Sequence, residues 1–165
     1  MREKSRKALF LDRDGVINED FGYVYKIEDF KFKDGIFELL RLFQDRDYDI
    51  FIVTNQSGIG RGFYTKEDFL KLMDWVKKEF KKEGIVIKDI AYCPHHPNEN
   101  CQCRKPKPKM ILDLKEKYNL DLKFSIMLGD KESDELTSRN AGLKEFYYVE
   151  KIDDLILKLK SKDII

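Results

Sequence analysis

Two carboxylates one residue apart, Asp12 and Asp14, follow directly on the apolar run Ala8-Leu9-Phe10-Leu11 and precede Gly15. Acids before a glycine are common turn formers, and on that ground alone the pair asks for nothing further. Other stretches change the balance: Thr54-Asn55-Gln56-Ser57-Gly58 closes a second apolar run, Lys105 follows a cysteine-rich loop, and Gly129-Asp130-Lys131 closes a further apolar run. Carboxylates held this close repel, so they stay ionised together only beside a cation, and hard oxygen ligands next to a phosphate suit Mg²⁺. Asp12 offers a carboxylate nucleophile of the kind that forms aspartyl phosphates, Asp14 a second carboxyl that passes a proton, and Asp130 a third acid to complete a Mg²⁺ shell. Thr54 brings a hydroxyl donor, Asn55 to Gly58 bring backbone amides, and Lys105 brings a fixed positive charge. Such a clamp strengthens as charge develops on phosphoryl oxygens, which is what hydrolysis of an inert phosphate ester needs.

Cys93, Cys101 and Cys103 fall within eleven positions, accompanied by His95 and His96. An odd number packed so locally cannot staple a fold, whereas three thiolates and an imidazole make a closed tetrahedral Zn²⁺ site. The spacing leaves His95 and His96 both open as the fourth ligand. Zinc here would pin the loop that leads into Arg104 and Lys105. The run Arg104-Lys105-Pro106-Lys107-Pro108-Lys109 also has a plainer reading as a solvated charged face, with Pro108 placed to start a helix.

These groups need a scaffold that gathers them. The runs 8–11, 49–54, 86–92, 124–128 and 146–149 read as strands, the second of them unbroken by polar residues as in a parallel sheet covered on both faces. Between them lie helical patterns: Ile36, Leu39, Leu40 and Phe43; then Phe69, Leu72, Met73, Val76 and Phe80 behind a Thr65 capping box; then Met110, Ile111, Leu114 and Tyr118; then 132–140 and 152–159. Met73 and Trp75 are core on such a stripe rather than a ligand platform. Asn18 to Lys33 is a long loop near the site. Alternating strands and helices predict an α/β, Rossmann-like doubly wound parallel sheet with helices on both faces, and ligands then sit off the carboxyl ends of the strands. Asp12, Thr54, the Cys93 loop and Asp130 each follow a predicted strand end, so one crevice should hold them all.

The whole chain sets bounds. Its 165 residues are expected to form a single domain (1–165), 42% hydrophobic and 38% charged with net charge +1, a balance that argues against a strongly basic nucleic-acid binder. Apolar runs are too short for a membrane span, and Met1 to Lys7 leads into a strand rather than a signal segment, so a cytoplasmic protein without a membrane partner, most simply a monomer, is expected.

Taken together, Asp12-Arg13-Asp14-Gly15, Thr54-Asn55-Gln56-Ser57-Gly58, Lys105 and Gly129-Asp130-Lys131 resemble, in this order and over nearly the whole chain, the four motifs of the haloacid dehalogenase superfamily of phosphatases. The resemblance implies Asp12 as nucleophile, Asp14 as general acid and base, Thr54 and Lys105 as phosphoryl stabilisers, and Mg²⁺ on Asp12, Asp130 and the backbone carbonyl of Asp14. No insertion is long enough for a large cap domain. A Cys-x-His plus Cys-x-Cys loop followed by Arg-Lys-Pro is similar to the heptose-bisphosphate phosphatases and the related histidinol-phosphate phosphatases, which favours His95 with Cys93, Cys101 and Cys103 for Zn²⁺. Within that group, Asp20-Phe21-Gly22-Tyr23 and Ser57 to Gly62 look like the heptose enzymes, whereas the histidinol enzymes usually carry Asp at the position of Ser57. The implied substrate is thus a small sugar phosphate, held by Asp20, Phe21, Gly22, Tyr23, Asn55, Gln56, Ser57 and the planar donor fork of Arg104. Thr54 to Gly62 also resembles the polynucleotide 3′-phosphatases, whose substrate calls for a basic groove. A non-catalytic zinc module should have lost one of the site groups, and all are present.

Overall fold

The computed structural model of the chain describes residues 4–165; residues 1–3, part of the charged lead-in to the first strand, lie outside the described residues. Five strands, β1 (Ala8–Leu11), β2 (Asp49–Asn55), β3 (Ile87–Cys93), β4 (Ile126–Gly129) and β5 (Glu145–Tyr148), form one all-parallel sheet in the order β3-β2-β1-β4-β5. Helices α1 (Ile36–Asp45), α2 (Ser57–Gly60), α3 (Lys66–Lys82), α4 (Lys109–Tyr118), α5 (Glu132–Ala141) and α6 (Ile152–Ser161) connect or follow them. No insertion of domain size interrupts this order among the described residues.

The pleat explains the unbroken apolar runs. Leu9, Leu11, Ile50, Ile52, Ile126 and Leu128 face the core built with α1, α3 and α6, including Leu39, Phe43, Phe69, Val76, Leu155 and Leu159. Their neighbours Ala8, Phe10, Phe51, Val53 and Met127 face the opposite way onto Met110, Ile111 and Leu114 of α4. A strand covered on both sides has no polar face to show. Phe10 and Phe51 stack with ring centroids 5.6 Å apart, and truncating either to Ala should cost about 3–5 kcal/mol. Trp75 is only partly buried, yet it packs against Phe30 and Phe32 as a core residue does.

Strand boundaries differ from the sequence expectation by one or two residues. Leu122–Phe124 is a 3₁₀ turn capped by Asp121, so β4 begins at Ile126 and the Phe124 ring is left 60% exposed. The edge strands β3 and β5 each shift by one residue. The Asn18 to Lys33 loop is more ordered than its lack of periodicity suggests: Asn18 bridges to both Asp14 and Phe32, and Ile27–Asp29 makes a 3₁₀ turn.

The chain builds β1, β2 and β3 outward in one direction and then returns to place β4 on the other side of β1. The strand order therefore reverses between β1 and β4, the place where open α/β sheets bind ligands. Asp12 and Asp130 stand at those two strand ends, joined across the gap by the bond from Asp12 N to Leu128 O at 3.1 Å.

Candidate active site

Asp12, Thr54, Lys105 and Asp134 form the floor of the crevice, all buried. The Lys105 ammonium donates to Asp12 Oδ1 at 3.0 Å, to the Val53 carbonyl at 3.0 Å and to Asp134 Oδ1 at 2.6 Å. Burial alone would lower its pKa, but the two carboxylates outweigh that and raise it, so Lys105 stays charged. Its own backbone is fixed by Asn55, whose Oδ1 accepts Lys105 N at 3.0 Å. Asp12 is pushed up to about 7, first by burial and then by Asp134 and Asp14, against the opposing pull of Lys105.

Asp130 completes the acid cluster. Its Oδ1 is buried without a hydrogen-bond partner, and one carboxylate oxygen from each of Asp12, Asp130 and Asp134 falls within 4.8 Å of the others. Burial raises the Asp130 pKa as well. Acids crowded in this way, with one oxygen unpartnered, suit a hard divalent cation such as Mg²⁺. Gly15 makes the approach: its φ is +87°, and a Cβ there would stand 2.1 Å from Asp130 Oδ2.

The Asp14 carboxylate is not in that cluster. Oδ1 accepts from Arg13 Nη2 at 2.8 Å and Asn18 Nδ2 at 3.0 Å, while Oδ2 accepts from Gln56 Nε2 at 3.3 Å. The Asp14 side chain is thus turned to Arg13, Asn18 and Gln56, and the close acid group is Asp12, Asp130 and Asp134. The partner guanidinium is wholly buried: Arg13 also donates to the Val24 carbonyl at 2.7 Å and lies over the Phe30 and Phe69 rings.

Beside this floor, with Asp14 in its wall but not Asp12, Thr54 or Lys105, lies a cavity of about 340 Å³. Asp20, Gly22, Tyr23, Asn55, Gln56 and Ser57 of the expected substrate set line it. Arg104 joins them, with Nη1 buried and unpartnered. Phe21 does not: it is 65% exposed and borders a neighbouring hollow with Val24 and Phe30. Arg61 and Lys131 add two cations to the wall. The helix α2, absent from the sequence reading, turns the backbone after Thr54, and Gly60 lets it pack on the cysteine loop, where a Cβ would stand 2.5 Å from His96 N.

That loop gathers three of the four expected donors, Cys93, His95 and Cys103, into one group, with Cys101 beside Cys93. Cys93 and Cys103 are in disulfide contact with Cα atoms 5.6 Å apart, Cys101 Sγ lies 3.7 Å from Cys93 Sγ, and a His95 ring nitrogen falls within 4.8 Å of the Cys93 and Cys103 sulfurs. The sequence pointed to three thiolates, and at this Cα separation a Cys93–Cys103 bond and a shared cation are both geometrically open. His95 Nδ1 is engaged by Glu99 Oε2 at 2.7 Å, so Nε2 is the nitrogen left for a ligand. His96 instead accepts the Asn98 amide within its own turn.

Asp134 is the site residue that sequence reading passed over. Besides Lys105 it takes the amides of Asp130 and Lys131 on Oδ2, at 3.2 and 3.3 Å. The available signal was its place one helical turn beyond Asp130, at the start of a helix.

Fold and site define a phosphatase of the haloacid dehalogenase type. Residues 10–155 match the family model described as polynucleotide kinase 3 phosphatase, so the likeness of Thr54 to Gly62 extends over most of the chain. A D-glycero-alpha-D-manno-heptose-1,7-bisphosphate 7-phosphatase of Campylobacter jejuni is 58% identical over 137 residues, 83% of this chain and 78% of the relative. A D-glycero-beta-D-manno-heptose-1,7-bisphosphate 7-phosphatase of Helicobacter pylori is 50% identical over 141 residues, 85% and 82% of the two chains. Among solved structures, the D,D-heptose 1,7-bisphosphate phosphatase of B. bronchiseptica, complexed with magnesium and phosphate, superposes with a TM-score of 0.85 at 25% identity, covering 94% of this chain and 99% of that one. The chain belongs to the D-glycero-D-manno-heptose-1,7-bisphosphate 7-phosphatase family of that superfamily.

Proposed function

We propose that the protein hydrolyses the 7-phosphate of D-glycero-D-manno-heptose 1,7-bisphosphate through a phosphorylated Asp12. The observation that carries this is the Asp12 carboxylate at the switch point, flanked by Lys105 and by the unpartnered Asp130 oxygen, in a chain whose relatives bear that activity in their names. Bound to Asp12, Asp130 and the Asp14 carbonyl, Mg²⁺ would offset phosphoryl charge and hold Asp12 ionised. Asp12 Oδ1 accepts from Lys105 and the Arg13 amide, which orient the carboxylate whose oxygen attacks phosphorus. As the bond from phosphorus to the sugar oxygen breaks, Asp14 delivers a proton to that oxygen. Asp14 then takes a proton from water, whose oxygen attacks phosphorus and frees Asp12 and inorganic phosphate. Lys105 and the Thr54 hydroxyl steady the phosphoryl oxygens in both steps.

The cavity walls fit a sugar phosphate: Asp20 and Ser57 suit hydroxyls, and Arg104 suits a phosphate or sugar oxygen with its planar fork. Cys93, Cys101, Cys103 and His95 are the proposed Zn²⁺ ligands, rigidifying the loop before Arg104. A cytoplasmic setting supports this, since thiols there stay reduced and free to ligate. The protein is proposed to act there as a monomeric single domain. Its net charge of +1 does not favour a nucleic-acid end as substrate.

Phosphate release from heptose bisphosphate, histidinol phosphate and a 3′-phosphorylated oligonucleotide tests the assignment side by side. Preference for the first is expected; equal or reversed preference would overturn the substrate.

A further inference from the structure

Gln56 spends its amide inside the protein and is only 3% exposed. Nε2 donates to Thr54 Oγ1 at 2.9 Å and to Asp14 Oδ2 at 3.3 Å, and Oε1 accepts the Tyr64 hydroxyl at 2.5 Å. Chemistry fixes the orientation of this amide. While Asp14 is ionised it can only accept, so the end of Gln56 that faces it is the NH₂ group, and the carbonyl end meets a donor. Tyr64 is that donor.

The Tyr64 ring is itself held in place. It is buried, stacked on Tyr25 with centroids 5.1 Å apart and planes 10° apart, and it fits only because residue 58 is glycine: a Cβ on Gly58 would stand 2.1 Å from Tyr64 Cε1. On the far side of the carboxylate, Arg13 and Asn18 hold Asp14 Oδ1 at 2.8 and 3.0 Å. Asp14 is thus gripped at both oxygens. Thr54 Oγ1 accepts from Gln56, and its own proton, set toward the Asn55 carbonyl at a long 3.4 Å, can turn to a phosphoryl oxygen.

We infer that Tyr64 is a positioning residue which, through Gln56, holds the Asp14 carboxyl and the Thr54 hydroxyl in register for phosphoryl transfer. This rests on the roles proposed above for Asp14 and Thr54. Loss of the hydroxyl frees the Gln56 amide to rotate, and the proton on Asp14 is then delivered from a less defined place.

Tyr64→Phe keeps the ring and its stacking while removing the hydrogen bond. Two substrates separate positioning from general disturbance: heptose bisphosphate, whose alkoxide needs a proton to leave, and p-nitrophenyl phosphate, whose phenolate does not. The quantity to compare is kcat/KM, which covers steps up to departure of the leaving group. Loosened Thr54 lowers both values, whereas loosened Asp14 lowers the first alone. The ratio of the two should therefore fall by about tenfold or more, within the range a general acid contributes. Gln56→Met should reproduce the change, and the double variant should add little to either, because the two residues act in one chain. Equal losses on both substrates, or losses that multiply in the double variant, would overturn the inference. Asp12→Asn separates the two levels: if it is inactive while Tyr64→Phe keeps the parent ratio, only the role of Tyr64 fails; if it turns over heptose bisphosphate at the parent rate, the chemistry beneath fails.

Discussion

Lys105 Nζ and Asp134 Oδ1 lie 2.6 Å apart with both side chains almost wholly buried, and the same ammonium reaches Asp12 Oδ1 at 3.0 Å. One cation thus spans the end of β2, where it meets the Val53 carbonyl, and the first turn of α5. It couples the position of Asp12, the proposed nucleophile, to the helix that follows Asp130.

Removing Asp134 should therefore cost far more than an exposed charge would. Asp134→Ala leaves Lys105 with one carboxylate and strips the Asp130 and Lys131 amides of their acceptor, and breaking a buried pair from one side costs about 3–5 kcal/mol. Urea denaturation measures it. A loss below about 1 kcal/mol, the usual value of an exposed pair, would contradict the geometry.

Proton and metal should compete for Asp12. Its carboxyl is raised by burial to about 7, so as pH falls through that value the metal-free site takes up a proton, and Mg²⁺ affinity should drop by about tenfold per pH unit below it. The sign for stability is the opposite of the usual acid case. Between its ordinary pKa and about 7 the folded state binds the proton that the unfolded state has released, so this group's contribution to metal-free stability declines as pH rises through that window. Calorimetric titration with Mg²⁺ between pH 6 and 8 checks the first part, and an affinity flat across that range would rule it out.

Gly15→Ala tests the close approach of β1's loop to Asp130. The added methyl would stand 2.1 Å from Asp130 Oδ2 on a backbone with φ of +87°, so Asp130 must move. The expected result is a loss of about 1–3 kcal/mol from backbone strain, with Mg²⁺ affinity weakened as well. Unchanged metal binding would show that Asp130 is not held where the metal needs it.

The cysteine loop gives a chemical count. With zinc bound, metal analysis of the purified protein should find one equivalent, and thiol titration after denaturation and chelation should find all of Cys93, Cys101 and Cys103 reactive. Absence of zinc together with a single reactive thiol would mean that the Cys93–Cys103 contact is a disulfide in solution.

Much of this site is written in the chain because chemistry falls where apolar runs stop. Asp12 after Leu11, Thr54 after Val53 and Asp130 after Gly129 are found by hydrophobic pattern alone, and a parallel sheet brings strand ends together. What stays hidden depends on tertiary neighbours. Asp134 looks like any acid in a first helical turn until Lys105 arrives from another loop. Arg13 looks exposed until Val24, Phe30 and Phe69 close over it. Gln56 reads only as a wall of the substrate site until Tyr64, eight residues on, meets its carbonyl as well. The hydrophobicity of Phe124 extends the apolar run of a strand, whereas the Asp121 cap turns it out to solvent.

The most direct measurement follows the phosphorus itself. Heptose bisphosphate labelled with ³²P at the 7-phosphate is mixed with the protein and Mg²⁺, acid-quenched within one turnover, and the peptide containing Asp12 is isolated. Hydroxylamine-sensitive label on that peptide, absent from Asp12→Asn, is the predicted result. Release of labelled phosphate with no label ever carried on Asp12, or undiminished release by Asp12→Asn, would contradict a covalent aspartyl route.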